Sequence, residues 1–544
     1  MSQKKMKQSV LIGALTSSFG IFISKALGLL YFAPLSSFAG EENMAFYSIV
    51  YTYYDLLLKI SSAGIPFAIA ALVARYFAKE DYRTAMLAKK LGTSLVMGLS
   101  FFSVVAFLFI SGPLARQSLG ALASETDIRH LRNLFYILLI AVIFVPYLSA
   151  VRGYYQGLKR LDLYASSQVL EQLIRVLSII GIGYLVVKVF SLEGIYAIYV
   201  AIAAAGIAAI FALLFIFLSS KEEDKRVEEL VCKQEDKAVA KRQILMEILS
   251  LGLPYVLISV LGSVSPLVNT TYFLDYATAT GMAQEAAKLQ LGILQGNCNK
   301  LSAIPQVLTL GFSSGLVPYL TESLERQDYD KLREQITQLL DTVLFILVPV
   351  LFVFVFFARD IYFIMFGNLN LDLGTSLFRI SNILTFTDTI APILSSIMIT
   401  LHMRKSTVLV LIFSCFVKIA SFFFCVRNWG AYGMIYSSVL CTSSVIICYL
   451  LILRKRFNIS FRTTIRRGIM ITGISFIMSV PAFLIHRLIN FGFTSRAMDI
   501  LLMGGLGIIM AAIYYILSVQ MHLPQDVFQI EDPSIINLLK RFRS

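Results

Sequence analysis

Apolar runs of about twenty residues, separated by short polar segments, follow one another along almost the whole chain. A run of that length can cross a bilayer as a helix, because the helix satisfies its own backbone hydrogen bonds in lipid. The pattern predicts about fourteen spans, beginning near Gln8, Ala45, Ala88, Leu131, Tyr164, Leu192, Ile244, Gly292, Leu339, Thr375, Ser406, Ala431, Gly468 and Arg496. We therefore expect an all-α polytopic membrane protein.

The composition supports this class. Of 544 residues, 57% are hydrophobic and only 15% are charged, and the mean hydropathy is +0.76. A soluble chain of this length carries far more polar surface. The first apolar run is too long for a secretory signal and contains Lys25, so we expect it to be retained as the first helix.

The formal net charge of +14 is distributed unevenly along the chain. Most of the 47 lysines and arginines fall in alternate loops and at the two ends, which predicts that both termini are cytoplasmic. This basic excess orients the protein and meets anionic membrane lipid, so no nucleic-acid partner is expected. The six cysteines show neither a disulfide framework nor the spacing of a metal site.

A charged stretch at residues 221–242 separates two groups of six predicted spans. Short motifs recur at corresponding places, such as Leu72-Val73-Ala74-Arg75-Tyr76 and Leu316-Val317-Pro318-Tyr319, which favours a parallel pseudo-twofold repeat. The predicted organisation is an N-lobe with helices 1–6 (1–220), a cytoplasmic linker (221–242), a C-lobe with helices 7–12 (243–456), helices 13–14 (457–523) and a cytoplasmic tail (524–544).

Two lysines stand at places where a charge is expensive. Lys25 follows Ser24 in the middle of the first span, and Lys300 opens the eighth. A charge at bilayer depth costs roughly 2.5–3.5 kcal/mol on insertion scales, so it usually faces a bundle interior or a watery cavity. We interpret both as candidate contacts for an anionic substrate. The alternative is a lysine that snorkels to the interface or pairs with a carboxylate.

Two acid–base pairs have the same spacing. Asp55 and Lys59 in the second span, and Glu171 and Arg175 in the fifth, stand four residues apart with the acid first, the orientation that pairs best along a helix. Two interpretations stay open. Each pair either neutralises itself so that its helix can insert, or is a bond that opens when substrate or a cation arrives.

The sequence predicts no catalytic site. Residues 311–315 fit the G-x-S-x-G hydrolase pattern but lie inside an apolar helix, where small residues favour helix packing. The motifs of nucleotide binding and of zinc peptidases do not occur in the sequence, so no cofactor or metal is expected. Transport would then depend on the membrane potential or on a monovalent cation gradient.

Four stretches carry a family resemblance: ISKALGLLYFAPL, LLLKISSAGIPFAIAALVARYF, VPYLSAVRGYYQGLKRLDLYASSQVLEQLIRV and SAIPQVLTLGFSSGLVPYLTESL. Together they resemble the MurJ-type lipid II flippases and the related stage V sporulation protein B-like exporters of the multidrug/oligosaccharidyl-lipid/polysaccharide (MOP) superfamily. The resemblance implies two six-helix lobes around a cationic cavity, with two added helices that form a groove for a polyprenyl tail.

The resemblance also assigns residues. A Ser-Arg pair in the family's first helix is critical for function, and Ser24-Lys25 matches it with lysine in place of arginine, which keeps the charge but not the bidentate fork. Paired arginines of the second helix map onto Leu58 and Lys59. A basic residue that opens the eighth helix in some members corresponds to Lys300.

The function implied is that of a flippase for an undecaprenyl-diphosphate-linked saccharide, with the peptidoglycan precursor lipid II as the first candidate. It would move this lipid from the inner to the outer leaflet of the bacterial plasma membrane, in cell-wall and polysaccharide biosynthesis and next to the cell-wall synthesis machinery. One alternative is a cation-coupled multidrug exporter of the same superfamily. Another is a polyprenyl-dependent membrane glycosyltransferase, which would normally show clustered acidic or histidine residues in a large outer loop.

Overall fold

The computed structural model describes residues 27–28, 31–235, 238–489 and 496–528, without the side chains of 308–319. Every regular element in these residues is helical. The α-helices are α1 (Phe32–Ala39), α2 (Met44–Ser62), α3 (Ile65–Ala78), α4 (Tyr82–Leu119), α5 (Glu125–Gly157), α6 (Leu161–Leu177), α7 (Ile195–Ser219), α8 (Lys221–Lys233), α9 (Lys241–Gly262), α10 (Val264–Ala279), α11 (Gln284–Leu291), α12 (Asn299–Glu325), α13 (Tyr329–Phe356), α14 (Ala358–Phe366), α15 (Leu371–Thr400), α16 (Arg404–Trp429), α17 (Ala431–Phe457), α18 (Arg462–Ile489), α19 (Arg496–Gln520) and α20 (Leu523–Phe528). Short π-helical segments follow α6 and α11.

The described residues contain twelve segments that are long and apolar enough to cross a membrane. They correspond to twelve of the fourteen predicted spans, so the all-α, multi-pass class is confirmed. The count of fourteen stays a prediction. Most of the first predicted span lies outside the described residues, and the eighth, α12, includes the undescribed side chains.

The chain divides into two compact units, Met1–Gly296 and Asn297–Ser544. In the first unit, α2 and α3 pack against α4 and α5, α5 packs against α7, and α9 contacts α3 and α4. The buried core lies between these helices and includes Ile69, Leu148, Tyr155, Ala212 and Ile248. Helices α9 and α10, which the sequence analysis assigned to the C-lobe, thus contact α2–α4 of the first unit.

In the second unit, α15, α16 and α17 form one packed group, and α18 lies against α13. The seam between α13 and the last two spans is apolar and includes Val348, Ile474 and Met510. One ion pair crosses it, because Arg467 Nη1 lies 2.6 Å from the fully buried Asp341 Oδ2. The two added helices predicted from the sequence are therefore anchored on α13 by packing and by charge.

The second span is interrupted in its middle, between α2 and α3. Gly64 has a φ of +78°, and a Cβ there would lie 2.6 Å from Tyr255 Cβ, so both conformation and space require glycine. Pro66 then occupies the first turn of α3, where a missing N–H costs nothing. A Cβ on Gly153 of α5 would lie 2.4 Å from Pro66 O, so glycine lets α5 pack directly against the new helix start.

The predicted linker contains a helix, α8, that docks on the first unit. Asp224 Oδ2 accepts a 2.9 Å hydrogen bond from the Tyr155 hydroxyl, and Glu223 accepts one of 2.9 Å from Arg160 Nη1. The acidic residues of its first turn also suit the positive end of a helix. This part of the linker is a packed element.

Candidate functional site

The Asp55–Lys59 pair lies just before the interruption of the second span. Lys59 Nζ is 2.5 Å from Asp55 Oδ2 and donates a 2.8 Å hydrogen bond to Ser263 Oγ. Ser263 lies between α9 and α10 and donates in turn to Ser259 O. The side chains of Lys59 and Asp55 keep 33% and 46% of their exposure, so water reaches this pair.

The Glu171–Arg175 pair has a third member that is distant in sequence. Glu171 Oε1 is 2.8 Å from Arg175 Nη2, and its other oxygen, Oε2, is 2.8 Å from Arg152 Nη1. Arg152 Nε donates a 2.9 Å hydrogen bond to the fully buried Ser167 Oγ. One carboxylate therefore holds two guanidinium groups, and the formal charge of the cluster is +1.

A cavity of about 370 Å³ lies beside Arg152, a volume within the usual range of small-molecule sites. Its walls come from the α2–α3 junction, α5 and α6, and they are rich in hydroxyl and amide groups. The lining residues are Ser62, Gly64, Pro66, Phe67, Ser149, Arg152, Gly153, Gln156, Tyr164 and Gln168. All of them belong to the first unit.

Arg175 faces different surroundings. It lines a space of only about 10 Å³, together with Tyr31, Tyr47, Tyr51 and Tyr54. A cavity of that size holds about one water molecule at most. Arg175 is therefore enclosed by aromatic side chains, whereas Arg152 stands beside open volume.

Arg152 was not among the candidate site residues predicted from the sequence. The structure corrects this: Arg152 lies inside α5, which continues to Gly157, and only 7% of the residue is exposed. Its contact with Glu171 is tertiary and joins two helices across a tight connection. The available signal was the Gly153–Gly157 spacing, since two glycines four apart mark a helix face that packs closely and can continue a span.

The other predicted site residues fall elsewhere. Ser24 and Lys25 lie outside the described residues. Lys300 begins α12 as a half-buried side chain of the second unit, whereas Lys59 belongs to the first. The interpretation of Lys25 and Lys300 as contacts for an anionic substrate thus stays a prediction.

The second unit has a buried cation of its own. Lys418 on α16 is 0% exposed and donates to Ser437 Oγ at 2.8 Å and to Ser438 Oγ at 2.9 Å. Asp388 on α15 is close enough for a Coulombic interaction. Among the described residues, no group of three or more His, Cys, Asp or Glu side chains could hold a metal ion.

Comparison with known proteins places these features in a family. The sequence profile of the polysaccharide biosynthesis protein family matches residues 10–324, more than half of the chain. The chain belongs to this family. The lipid II flippase MurJ of Bacillus subtilis (strain 168) is 25% identical over 493 residues, which cover 89% of this chain and 90% of that protein. The predicted resemblance to MurJ-type proteins is thereby confirmed.

Solved structures agree on the fold of this family member. A lipid II flippase MurJ in an inward closed conformation superposes with a TM-score of 0.66 at 16% identity, over 93% of this chain and 99% of that one. An inward-facing multidrug resistance MATE family transporter of the MOP superfamily gives 0.61 at 14% identity, over 80% and 94%. The chain therefore has the fold of MOP superfamily transporters.

Proposed function

We propose that this protein is a flippase that moves a polyprenyl-diphosphate-linked saccharide, with lipid II as the first candidate, from the inner to the outer leaflet of the plasma membrane. The similarity to the lipid II flippase MurJ carries the proposal, because it extends over nine tenths of both chains. The fold supports it, since both structural neighbours above are membrane transporters.

The physical problem of such cargo is its diphosphate, since an unpaired charge cannot enter hydrocarbon without a large cost. The protein carries cations inside its spans that could meet that charge. We propose Lys59 as one contact, with Lys25 and Lys300 as the others. Asp55 would hold Lys59 until the headgroup arrives, and the half-exposed setting of this pair makes such an exchange inexpensive.

The interrupted second span supports a transport role. Non-helical backbone at membrane depth is tolerated where protein or water covers it, and broken helices commonly line the substrate sites of transporters. Here the break at Gly64 lines the cavity beside Arg152. We propose that alternating access presents the headgroup first inside and then outside, with both termini cytoplasmic. The membrane potential or a monovalent cation would reset the empty carrier.

Depletion of the protein in cells tests this proposal. We expect an undecaprenyl-linked precursor to accumulate on the inner leaflet, measured by extraction of labelled lipids and by access of an external enzyme to the headgroup. The chemical identity of that precursor then identifies the cargo. If no precursor accumulates and the cells instead become sensitive to drugs, the protein is a drug exporter, as the fold of the MATE family transporter also allows.

A further inference from the structure

Arg152 has more hydrogen-bonding capacity than its neighbours use. Its Nε and Nη1 donate to Ser167 and Glu171, but its Nη2 is buried and has no hydrogen-bond partner within the described part of the chain. A buried donor without an acceptor is costly, more so when it is charged. Within the described residues, the guanidinium therefore has an unused donor that a bound anion could satisfy.

The charge of the cluster points to the nature of that ligand. Glu171 carries one negative charge and is shared between Arg152 and Arg175, so one positive charge remains uncompensated within the cluster. All three side chains are at least 86% buried, so bulk water screens this charge weakly. An anion would supply both the missing charge and the missing acceptor.

In the part of the chain that the structure describes, open volume lies at Arg152 rather than at Arg175. The cavity of about 370 Å³ lies at Arg152, whereas the space at Arg175 measures about 10 Å³. Hydroxyl and amide groups of Ser62, Ser149, Tyr164 and Gln156 also line the larger cavity. Such groups can donate hydrogen bonds to phosphate oxygens.

The interrupted span adds a second feature that suits an anion. Helix α3 begins at Ile65, and Gly64, Pro66 and Phe67 from this start line the same cavity. The first turn of a helix has N–H groups without partners in the helix, here those of its residues other than Pro66, and it carries partial positive charge. Helix starts of this kind bind phosphate groups in many proteins.

We propose that Arg152 and the first turn of α3 form a binding site for a phosphate-bearing anion, with Glu171 as the internal counterion that neutralises part of the charge of the two arginines. The anion is of the diphosphate class, an assignment that rests on the proposed function above. Arg175 then serves to hold Glu171 from the opposite side. This site is separate from the Asp55–Lys59 pair and uses a planar fork, the geometry that suits phosphate best.

Binding of inorganic pyrophosphate to the purified full-length protein in nanodiscs of neutral lipid tests the site. We expect Arg152→Gln to weaken binding about ten- to hundredfold, the usual effect of losing a charge-assisted hydrogen bond. Arg152→Lys should also bind pyrophosphate much more weakly than wild type, because lysine keeps the charge but not the planar fork. The matched control is Arg116→Gln, which removes an arginine from an exposed pair with Glu125 and should bind like wild type.

Glu171→Gln provides a test in the opposite direction. It raises the formal charge of the cluster from +1 to +2, so we expect pyrophosphate to bind severalfold more tightly. If the cluster is purely structural, the two substitutions should not have opposite effects: pyrophosphate affinity should fall in both Arg152→Gln and Glu171→Gln, or stay unchanged in both. Unchanged pyrophosphate binding in Arg152→Gln, or weaker binding in Glu171→Gln, would therefore overturn the site.

Two further arms identify the source of the anion. Nanodiscs with undecaprenyl diphosphate should displace pyrophosphate from the wild type, and nanodiscs with phosphatidylglycerol at the same mole fraction should not. Displacement by phosphatidylglycerol would overturn the diphosphate assignment in favour of bulk anionic lipid. Pyrophosphate binding that depends on Arg152, in a protein that flips no polyprenyl lipid, would support the site and refute the proposed function. Normal flipping of polyprenyl lipid, together with pyrophosphate binding that does not depend on Arg152, would support the proposed function and refute the site.

Discussion

Two acid–base pairs with the same spacing in sequence have very different environments. Asp55 and Lys59 stay half-exposed, and Lys59 also donates to a serine hydroxyl, whereas Glu171 and Arg175 are nearly buried and Glu171 also pairs with a second arginine. The four-residue spacing along one helix is therefore enough for an acid–base pair to form. The neighbouring helices decide how much the pair contributes to stability, and whether a net charge remains beside a cavity.

Removal of the central carboxylate is the strongest way to test this comparison. We expect Glu171→Gln to destabilise the protein without anion by about 3–5 kcal/mol, because breaking a buried pair leaves charge uncompensated. Added pyrophosphate should recover part of this loss, since a ligand that binds the folded state stabilises it. Thermal unfolding in nanodiscs measures both effects. Asp55→Asn is the control and should change stability by about 0–1 kcal/mol.

The buried lysine of the second unit tests whether an enclosed cation contributes to stability but not to anion binding, in contrast to the Arg152–Glu171–Arg175 cluster. Lys418 bonds to two serine hydroxyls and interacts with Asp388. We expect Lys418→Met and Asp388→Asn to be non-additive by about 0.5–3 kcal/mol, as for charged groups that interact in general. Pyrophosphate affinity should not change in either variant. A loss of affinity in Lys418→Met would contradict the assignment of anion binding to the Arg152 cavity.

Several features could be predicted from the sequence. The apolar runs gave the helical class and twelve matched spans, because helices in lipid are local structures that hydropathy alone determines. The acid-first spacing indicated both pairs, since partners four residues apart on a helix meet regardless of what packs around them.

Other features depend on tertiary contacts and were not predicted. The role of Arg152 requires α5 and α6 to lie together; the Gly153–Gly157 spacing within α5 indicates a closely packed face but not the contact with Glu171. The break at Gly64 had a local signal, the Gly-Ile-Pro sequence, but the apolar run around it concealed the interruption. The docking of α8 likewise depends on Tyr155 and Arg160, which lie outside the linker.

Transport by variants of the exposed pair sharpens the comparison at the level of function. Lys59→Met should slow flipping of labelled polyprenyl diphosphate lipid about tenfold, because one charge contact to the headgroup is lost. Thermal stability should change little, since the pair is half-exposed. Asp55→Asn should flip at least as fast as wild type, because Lys59 is then free of its carboxylate. Reconstituted vesicles with a membrane-impermeant quencher give both rates. Wild-type flipping by Lys59→Met would remove this residue from the proposed path.

The smallest expected effect concerns a half-buried acid that accepts hydrogen bonds from neutral donors. Asp81 Oδ1 accepts hydrogen bonds from Thr84 N and from Gln234 Nε2, each 3.0 Å long, and thereby links the start of α4 to the linker. Partial burial alone would raise the pKa of Asp81, but these hydrogen bonds outweigh it and hold the pKa below its usual value.

The sign of the pH effect follows from that depressed pKa. The contribution of Asp81 to stability is present above the unfolded value of about 4 and is lost as the pH falls through the lower folded value. With an acid protease at pH 5, we expect Asp81→Asn to be cleaved in the linker severalfold faster than wild type. Below the folded pKa the two rates should converge, because the wild-type carboxyl is then neutral as well. If the ratio of the two cleavage rates stays constant from pH 5 to below the folded pKa, the ionised form of Asp81 does not hold the linker. Partly exposed carboxylates in this protein would then contribute even less to stability than the Asp55–Lys59 pair suggests.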